Sequence, residues 1–193
     1  MLIQKLSCKD DTYCIGISEI SNSNELGVNQ LLDLSKSYSE NALAVQFFNS
    51  LMVVNDLHLL SAAQNAINAW SGGYMISRSL DVEIIVYASA QRQIHQALDM
   101  MGVKDGLATI SVVVIDKHEE NVNEILVNII QQIGKEMQPF FSPTEERVSY
   151  LMKVFDVKTE EMKHFINSNS VEERTQALGR CIASRVSLVA IGM

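Results

Sequence analysis

The chain is poor in several features that would point to a particular class of protein. It has three cysteines, Cys8, Cys14 and Cys181, and no CxxC pair. An odd number of cysteines without such a pair favours small buried thiols in a reducing compartment over a disulfide framework. No apolar run approaches the roughly 18 residues that a membrane span requires. No signal peptide opens the chain. We therefore expect a cytoplasmic protein.

The motifs of common catalytic and nucleotide-binding sites are also missing. The sequence has no GxGxxG after a strand, no GxxxxGK[ST] loop and no GxSxG elbow. Its four histidines, His58, His95, His118 and His164, lie far apart and show no metal-ligand spacing. Acidic pairs such as Glu145-Glu146 fall at predicted helix starts, where the helix dipole explains them. These absences predict a protein with no metal, no cofactor and no catalytic activity of its own.

Basic residues are in the minority. Lys and Arg number 15 against 23 Asp and Glu, so the net charge is −8. This balance argues against a protein that binds nucleic acid through broad electrostatic attraction, so any such contact has to be local. Residues 57–98 carry only four fixed charges, Arg78, Asp81, Glu83 and Arg92, and are neutral as a span. A neutral surface of this kind could hold single-stranded bases by stacking.

What the sequence does contain predicts an ordinary globular domain spanning residues 1–193, with 47% hydrophobic residues. Alternating or continuous apolar runs predict strands at 13–18, 44–48, 52–54, 82–88, 109–115 and 186–191. Asn55 caps a helix that ends at Ser71-Gly72-Gly73, and capping boxes begin at Ser142 and Ser170. We predict an α/β fold: one domain with a central mixed sheet packed by helices, a helical C-terminal portion and a final strand.

One segment, residues 75–106, carries polar side chains that packing does not require. Ser89 is a predicted N-cap and Gly102 a predicted left-handed C-cap of one helix. Arg92 would then lie in the first helical turn, where the dipole disfavours a cation. A phosphate contact would explain it, and a solvated surface arginine is the alternative. Lys104 lies at the other end, roughly 18 Å away, so an extended trinucleotide could touch both residues but one phosphate could not.

The segment ASAQRQIHQAL…GVKDG resembles the kinase-binding subunit of the KEOPS complex, also called the PRPK-binding protein family, in its archaeal form. RSLDVEII before it and ASRVSLVAI near the C-terminus extend the likeness to about residues 40–191. The combination AxxQRQI–GxKDG, here Ala88 to Gly106, is the specific part. The first forty residues match poorly, and the segment 160–169 is longer than in compact members.

This resemblance implies a non-catalytic role. KEOPS makes the threonylcarbamoyladenosine modification of transfer RNA. The resembling subunit binds the complex's atypical kinase and ATPase, meets the other subunits indirectly and holds the single-stranded CCA end of transfer RNA. We accordingly predict an RNA-binding set: Arg78, Gln91, Arg92, Gln93, His95 and Lys104. We also predict a kinase-binding set on the C-terminal helices, although its spacing fits plain core equally well: Leu151, Phe155, Leu178 and Ile182.

Two other functions remain open on the sequence. The chain could be a general α/β protein-interaction module with no role in RNA binding. It could also be a small-molecule enzyme that uses His95 or His58 in a pocket.

Overall fold

One antiparallel sheet with helices on both faces organises the chain. The structure is a computed structural model and describes residues 1–38, 40–166, 168 and 170–191. The strands and helices follow in chain order: β1 Leu2–Cys8, β2 Asp11–Ser21, α1 Val28–Ser37, β3 Ala44–Asn49, α2 Asp56–Gly72, α3 Leu80–Ser89, α4 Ile94–Met101, β4 Thr109–Asp116, α5 Glu119–Ile133, β5 Lys135–Glu136, α6 Glu145–Val154, α7 Thr159–Met162 and α8 Val171–Leu188. The predicted α/β class is confirmed.

The sheet has the order β1-β2-β4-β3, and β5 pairs with the end of β2 that β1 leaves free. Every pairing is antiparallel, whereas we predicted a mixed sheet. The strands predicted at 13–18, 44–48 and 109–115 are confirmed as β2, β3 and β4. The edge strand β1 was not predicted. The strand predicted at 52–54 is wrong, because a 3₁₀ turn, Ser50–Met52, occupies its start.

Strand β4 lies inside the sheet and divides the core into two layers. Ile110, Val112 and Val114 pack against α1 and α5 on one face. Val113 and Ile115 point to the opposite face, where α2, α3, α4, α6 and α8 supply the larger core. A strand covered on both faces needs no polar alternation, which explains its continuous apolar sequence.

The strand predicted at 82–88 is wrong, because these residues belong to helix α3. Eight of its ten residues are buried, since α2, α4, α8 and β3 surround it. A helix that is apolar all round shows no helical period in its sequence, so it resembles a buried strand. Asp81 and Glu83 in its first turn are signs of a helix start. Glu83 is fully buried and accepts hydrogen bonds from the backbone N–H groups of Ile76 and Ser77.

The final strand predicted at 186–191 is also wrong. Helix α8 continues through Leu188, and its buried residues Ile182, Val186 and Val189 recur with helical spacing. Ser184 and Ser187 donate hydrogen bonds to the carbonyls of Arg180 and Ala183, four residues before each serine. The chain is therefore helical through Leu188, and residues 189–191, the last that the structure describes, add no strand to the sheet. Part of the segment 160–169 and the end of the predicted single domain lie outside the described residues. The residues concerned are Ser39, Asn167, Asn169, Gly192 and Met193.

Several predicted helix ends are confirmed and others are corrected. Asn55 accepts from the N–H of His58 at the start of α2, Ser170 caps α8, and Gly73 ends α2 with φ of 72°. Thr144, rather than Ser142, caps α6. Gly102 is not left-handed, since its φ is −67°. A Cβ at Gly102 would lie 2.4 Å from the carbonyl oxygen of Leu98, so close backbone approach is the reason for the glycine.

Candidate nucleic-acid cleft and partner surface

The polar segment Gln91–Gln93 is a loop between two helices and not the first turn of one. Ser89 closes α3, because its hydroxyl donates to the carbonyl of Val86 and accepts from the N–H of Gln91. Ala90 adopts the left-handed conformation with φ of 54°, and α4 begins only at Ile94. The predicted N-cap at Ser89 is therefore wrong. The helix-dipole argument for Arg92 falls with it, because Arg92 precedes the helix.

Arg92 ties this loop to the C-terminal end of α8. Its guanidinium Nη1 donates a hydrogen bond of 3.1 Å to the carbonyl oxygen of Val189. The side chain remains largely exposed, and the single bond leaves the other guanidinium N–H groups open to a ligand. The loop and the end of α8 thus form two walls of one depression.

We call this depression the first cleft; its volume is about 490 Å³. Its polar rim combines two arginines, three amides and one carboxylate: Arg92, Arg185, Gln91, Gln93, Gln96 and Asp156. Leu188 supplies exposed apolar surface, and the more buried side chains of Val154, Phe155 and Val189 lie beneath it. Arg185 is held in place by the Glu161 carboxylate at 2.9 Å and by the carbonyl of Asp156 at 2.9 Å. Guanidinium and amide donors beside apolar surface suit a single-stranded base and its phosphate.

His58 supports the first cleft from behind. It is fully buried, and its Nε2 lies 2.7 Å from the carbonyl oxygen of Ala88, at the end of α3. Its Nδ1 accepts from the N–H of Val54 at 3.4 Å, so the neutral ring donates through Nε2. The ring meets Phe155 edge to face, with the ring centroids 5.4 Å apart. Burial lowers the pKa of His58 from 6.5 to about 4. His58 is thus a neutral spacer between the end of α3 and Phe155, which follows α6.

The structure brings together only part of the predicted RNA-binding set. Gln91, Arg92 and Gln93 line the first cleft. His95 is exposed on α4 but does not line the cleft. Arg78 and Lys104 are exposed, and each is separated from the loop by the length of a helix, α3 or α4, about 15 Å and 12 Å respectively. The neighbour of Lys104, Asp105, accepts a hydrogen bond from the N–H of Val28, so its carboxylate is engaged at the N-terminus of α1.

Sequence reasoning missed the contribution of the C-terminal helices to this cleft. Arg185, Leu188 and Val189 come from the end of α8, and Asp156 follows α6. The error in 186–191 hid them, because a strand there would have joined the sheet. The helical spacing of Ile182, Val186 and Val189 was the available signal.

The predicted kinase-binding set is core. Leu151, Phe155, Leu178 and Ile182 are exposed by 7% or less, so their side chains face the interior and do not form a surface. A different apolar group is exposed beside them. Leu51 is 52% exposed and Tyr150 is 47% exposed, and the Tyr150 hydroxyl lies 3.9 Å from the Met52 sulfur. We call Leu51, Met52 and Tyr150 the apolar patch.

A buried ion pair lies beneath the apolar patch. Arg147 of α6 lies 3.8 Å from the carboxylate of Glu19 on β2, and both side chains are shielded from solvent. Arg147 also donates to the carbonyls of Ser50 and Val53 at 2.7 Å each. Glu19 accepts from the Ser50 hydroxyl and from the N–H of Phe141. Burial lowers the pKa of Arg147, and Glu19 opposes that shift. The pair therefore fixes both elements of the patch to the sheet.

The described residues hold neither a bilayer-crossing helix nor a grouping of three His, Cys, Asp or Glu side chains suited to a metal ion.

Comparison with known proteins identifies the family. The family model described as kinase binding protein CGI-121 matches residues 17–190, from within β2 to the end of the C-terminal helix. The chain belongs to the CGI-121 family. The regulatory protein Cgi121 of Methanocaldococcus jannaschii is 31% identical over 112 residues, which cover 58% of this chain and 72% of that protein.

Family membership confirms the resemblance found in the sequence. The match also begins earlier than the sequence suggested, at residue 17 and not near residue 40. Strand β1 and the start of β2 lie before it. Every residue of the first cleft and of the apolar patch lies inside the matched region.

Proposed function

We propose that the protein is a non-catalytic accessory subunit of the KEOPS complex. In this proposal it binds the atypical kinase subunit and presents transfer RNA by its single-stranded CCA end for threonylcarbamoyladenosine formation. The kinase part is supported by the family description, kinase binding protein, and by the regulatory relative. The other KEOPS subunits are met through the kinase.

The observation that carries the RNA part is the first cleft with Arg92 at its rim. In an acidic chain, the cleft places two guanidinium groups and three amides around an apolar floor. Its volume of about 490 Å³ falls in the range of small-molecule sites, roughly 300–1,000 Å³. It therefore suits one or two nucleotides and excludes a duplex. Recognition of an unpaired end would follow from donors to phosphate and from a base packed on Leu188, which is the exposed apolar side chain of the lining.

For the kinase, we propose the apolar patch as the contact surface, because the predicted set lies in the core beneath it. An interface centre requires exposed apolar side chains, and aromatic residues are enriched there. Leu151 and Phe155, with Leu178 and Ile182 of α8, would then act indirectly by holding α6 in position. The same patch would serve a general protein-interaction module, so RNA binding distinguishes the two functions.

A binding role is favoured over a small-molecule enzyme by the state of the histidines. Both ring nitrogens of His58 are engaged by the backbone, and the ring is out of reach of solvent. His95 does not line the first cleft. We expect the pure chain to hydrolyse no ATP and to raise ATPase activity only when mixed with its kinase. Turnover by the kinase-free chain would refute the non-catalytic role.

The RNA proposal is tested by a double-mutant cycle with the RNA end as the second partner. Binding of transfer RNA and of transfer RNA lacking CCA is measured for the wild type and for Arg92→Glu. Each change alone should weaken binding, and together they should cost little more than either alone, because they remove one contact region. Arg180→Glu is the matched control, since Arg180 is exposed on α8 away from the cleft. Full additivity would place Arg92 elsewhere on the RNA and contradict the assignment.

A further inference from the structure

A second cleft adjoins the first one. It lies between α6, α7 and α8 and has a volume of about 480 Å³. Its polar lining is Ser149, Lys153, Asp156, Lys158, Thr159 and Arg174. Asp156 lines both clefts, and its left-handed backbone, with φ of 51°, turns the chain from α6 toward α7. The two depressions therefore share one dividing residue.

The charge of the second cleft is opposite to that of the protein. Three cations and one carboxylate line it, whereas acidic residues outnumber basic ones in the whole chain. Lys158 pairs with Asp156, and Arg174 pairs with Glu145. Lys153 makes no ion pair or hydrogen bond to any residue that the structure describes. An ammonium group without an acidic partner, next to two paired cations, favours an anion in this position.

Hydroxyl groups add donors to the same depression. Ser149 on α6 and Thr159 on α7 line it, and neither hydroxyl is bonded to another described residue. Lysine ammonium groups and hydroxyl groups typically donate hydrogen bonds to phosphate oxygens. Such contacts position the nucleic acid but do not distinguish its sequence. Together with Arg92 and Arg185 of the first cleft, five cations line the two clefts.

We propose that the second cleft binds backbone phosphate of the same strand whose end enters the first cleft. This inference rests on the proposed RNA function and extends it to a second site. The strand crosses Asp156, so that the terminal nucleotide lies beside Arg92 and an earlier phosphate lies beside Lys153 and Lys158. The second cleft then adds affinity for longer RNA without any preference for base.

The test compares two RNA lengths in variants of both clefts. Lys153→Glu and Lys158→Glu, singly and together, are assayed by fluorescence anisotropy with the trinucleotide CCA and with full transfer RNA. Each single variant should bind full transfer RNA about fivefold more weakly and should bind the trinucleotide as the wild type does. Arg92→Glu should weaken the binding of both the trinucleotide and full transfer RNA. The slope of log affinity against log salt should fall by about 0.7 for each single-strand phosphate that a variant no longer neutralises.

Lys5→Glu on β1 is the matched control, because Lys5 is exposed, carries the same charge and lines neither cleft. An equal loss in Lys5→Glu would mean general electrostatics and would overturn the proposal. Unchanged affinity of the double variant for full transfer RNA would overturn it too, while the CCA-dependent binding of the wild type would still support the proposed function. Weaker capture of the kinase with unchanged RNA affinity would identify the cleft as a protein contact instead. Absence of RNA binding by the wild type would refute both proposals.

Discussion

The first cleft and the apolar patch lie on the same helical side of the sheet but are built in different ways. The cleft is formed by loops and helix ends whose donors are only partly used, such as the guanidinium of Arg92 with its one bond to Val189. The patch rests on a largely buried ion pair, Glu19 with Arg147, whose hydrogen bonds stay within the protein. The first cleft therefore keeps hydrogen-bond donors free for a ligand. The apolar patch instead uses hydrogen bonds within the protein to hold its apolar side chains at the surface.

This difference teaches what each region can recognise. A rim with open donors favours a polar, charged ligand that brings its own acceptors. An apolar surface on a rigid support favours a protein partner, because binding buries apolar area and costs little conformational entropy in side chains that are already held in place. Variants in one region should therefore leave the function of the other intact.

Removing the support of the apolar patch should have the largest effect. Arg147→Met leaves the buried Glu19 carboxylate without its cation, so the free energy of unfolding should fall by about 3–5 kcal/mol. Urea unfolding measures it. Lys117→Met is the control, since the Lys117–Asp11 pair is exposed to solvent, which screens it, and should contribute little to stability. Equal losses in both variants would show that the buried pair has no special role.

The support of the first cleft should respond to pH. The pKa of folded His58 is lowered from 6.5 to about 4, so the unfolded chain takes up a proton that the folded chain refuses. Stability from this group is complete above pH 6.5 and is lost as pH falls toward 4, by about 3 kcal/mol in all. Urea unfolding at a series of pH values should show the decline, and His58→Gln should flatten it. His95→Gln, at an exposed histidine, should keep the wild-type slope, and a slope unchanged by His58→Gln would contradict this origin.

The patch itself should decide kinase binding. Tyr150→Ala should weaken affinity for the kinase about thirtyfold, roughly 2 kcal/mol, because a central aromatic side chain is lost. Transfer RNA affinity should stay as in the wild type, and a pull-down with titration of each partner measures both. Tyr74→Ala is the matched control, since Tyr74 is 52% exposed on the loop after α2. If Tyr150→Ala also weakened RNA binding, the separation of the two regions would be wrong.

The smallest expected effect comes from a single side chain of the first cleft, and it tests whether RNA contacts depend on lining the cleft or only on lying in the polar sequence segment. Gln96 lines the first cleft, and its neighbour His95 does not. Gln96→Ala should weaken transfer RNA binding about fivefold, since one hydrogen bond contributes about 1 kcal/mol. His95→Ala should change it little, although the sequence included His95 in the RNA-binding set. Fluorescence anisotropy measures both affinities. A larger loss in His95→Ala than in Gln96→Ala would mean that the RNA contacts the predicted sequence segment and not the lining of the cleft.

Local signals in the sequence were enough to predict much of the fold. Asn55 and Gly73 bound α2 as expected, because capping depends on residues next to each other in the chain. Strand β4 was predictable from its β-branched run. Gln91–Gln93 was recognised as a polar segment that packing does not require, but it was predicted as the first turn of a helix and is a loop before α4.

The error at 82–88 follows from complete burial. Both α3 and β4 are continuous apolar runs, and both are buried on every side. Periodicity disappears when all positions are buried, so neighbours in space decide between helix and strand. The error at 186–191 has a different origin. Val186 and Val189 are buried at helical spacing while Leu188 and Ile191 are exposed, so a helical period was present in a run that we interpreted as a strand.

The sequence by itself determined the α/β class, the family and the polar segment that forms one wall of the first cleft. These depend on composition, on caps and on residues close together in the chain. Only the tertiary structure decided that α8 brings Arg185 and Val189 to that segment, and that Leu151 and Phe155 are core while Tyr150 is exposed. The physical reason is that burial and the meeting of distant residues depend on how helices pack, and single-sequence patterns do not record the packing partner.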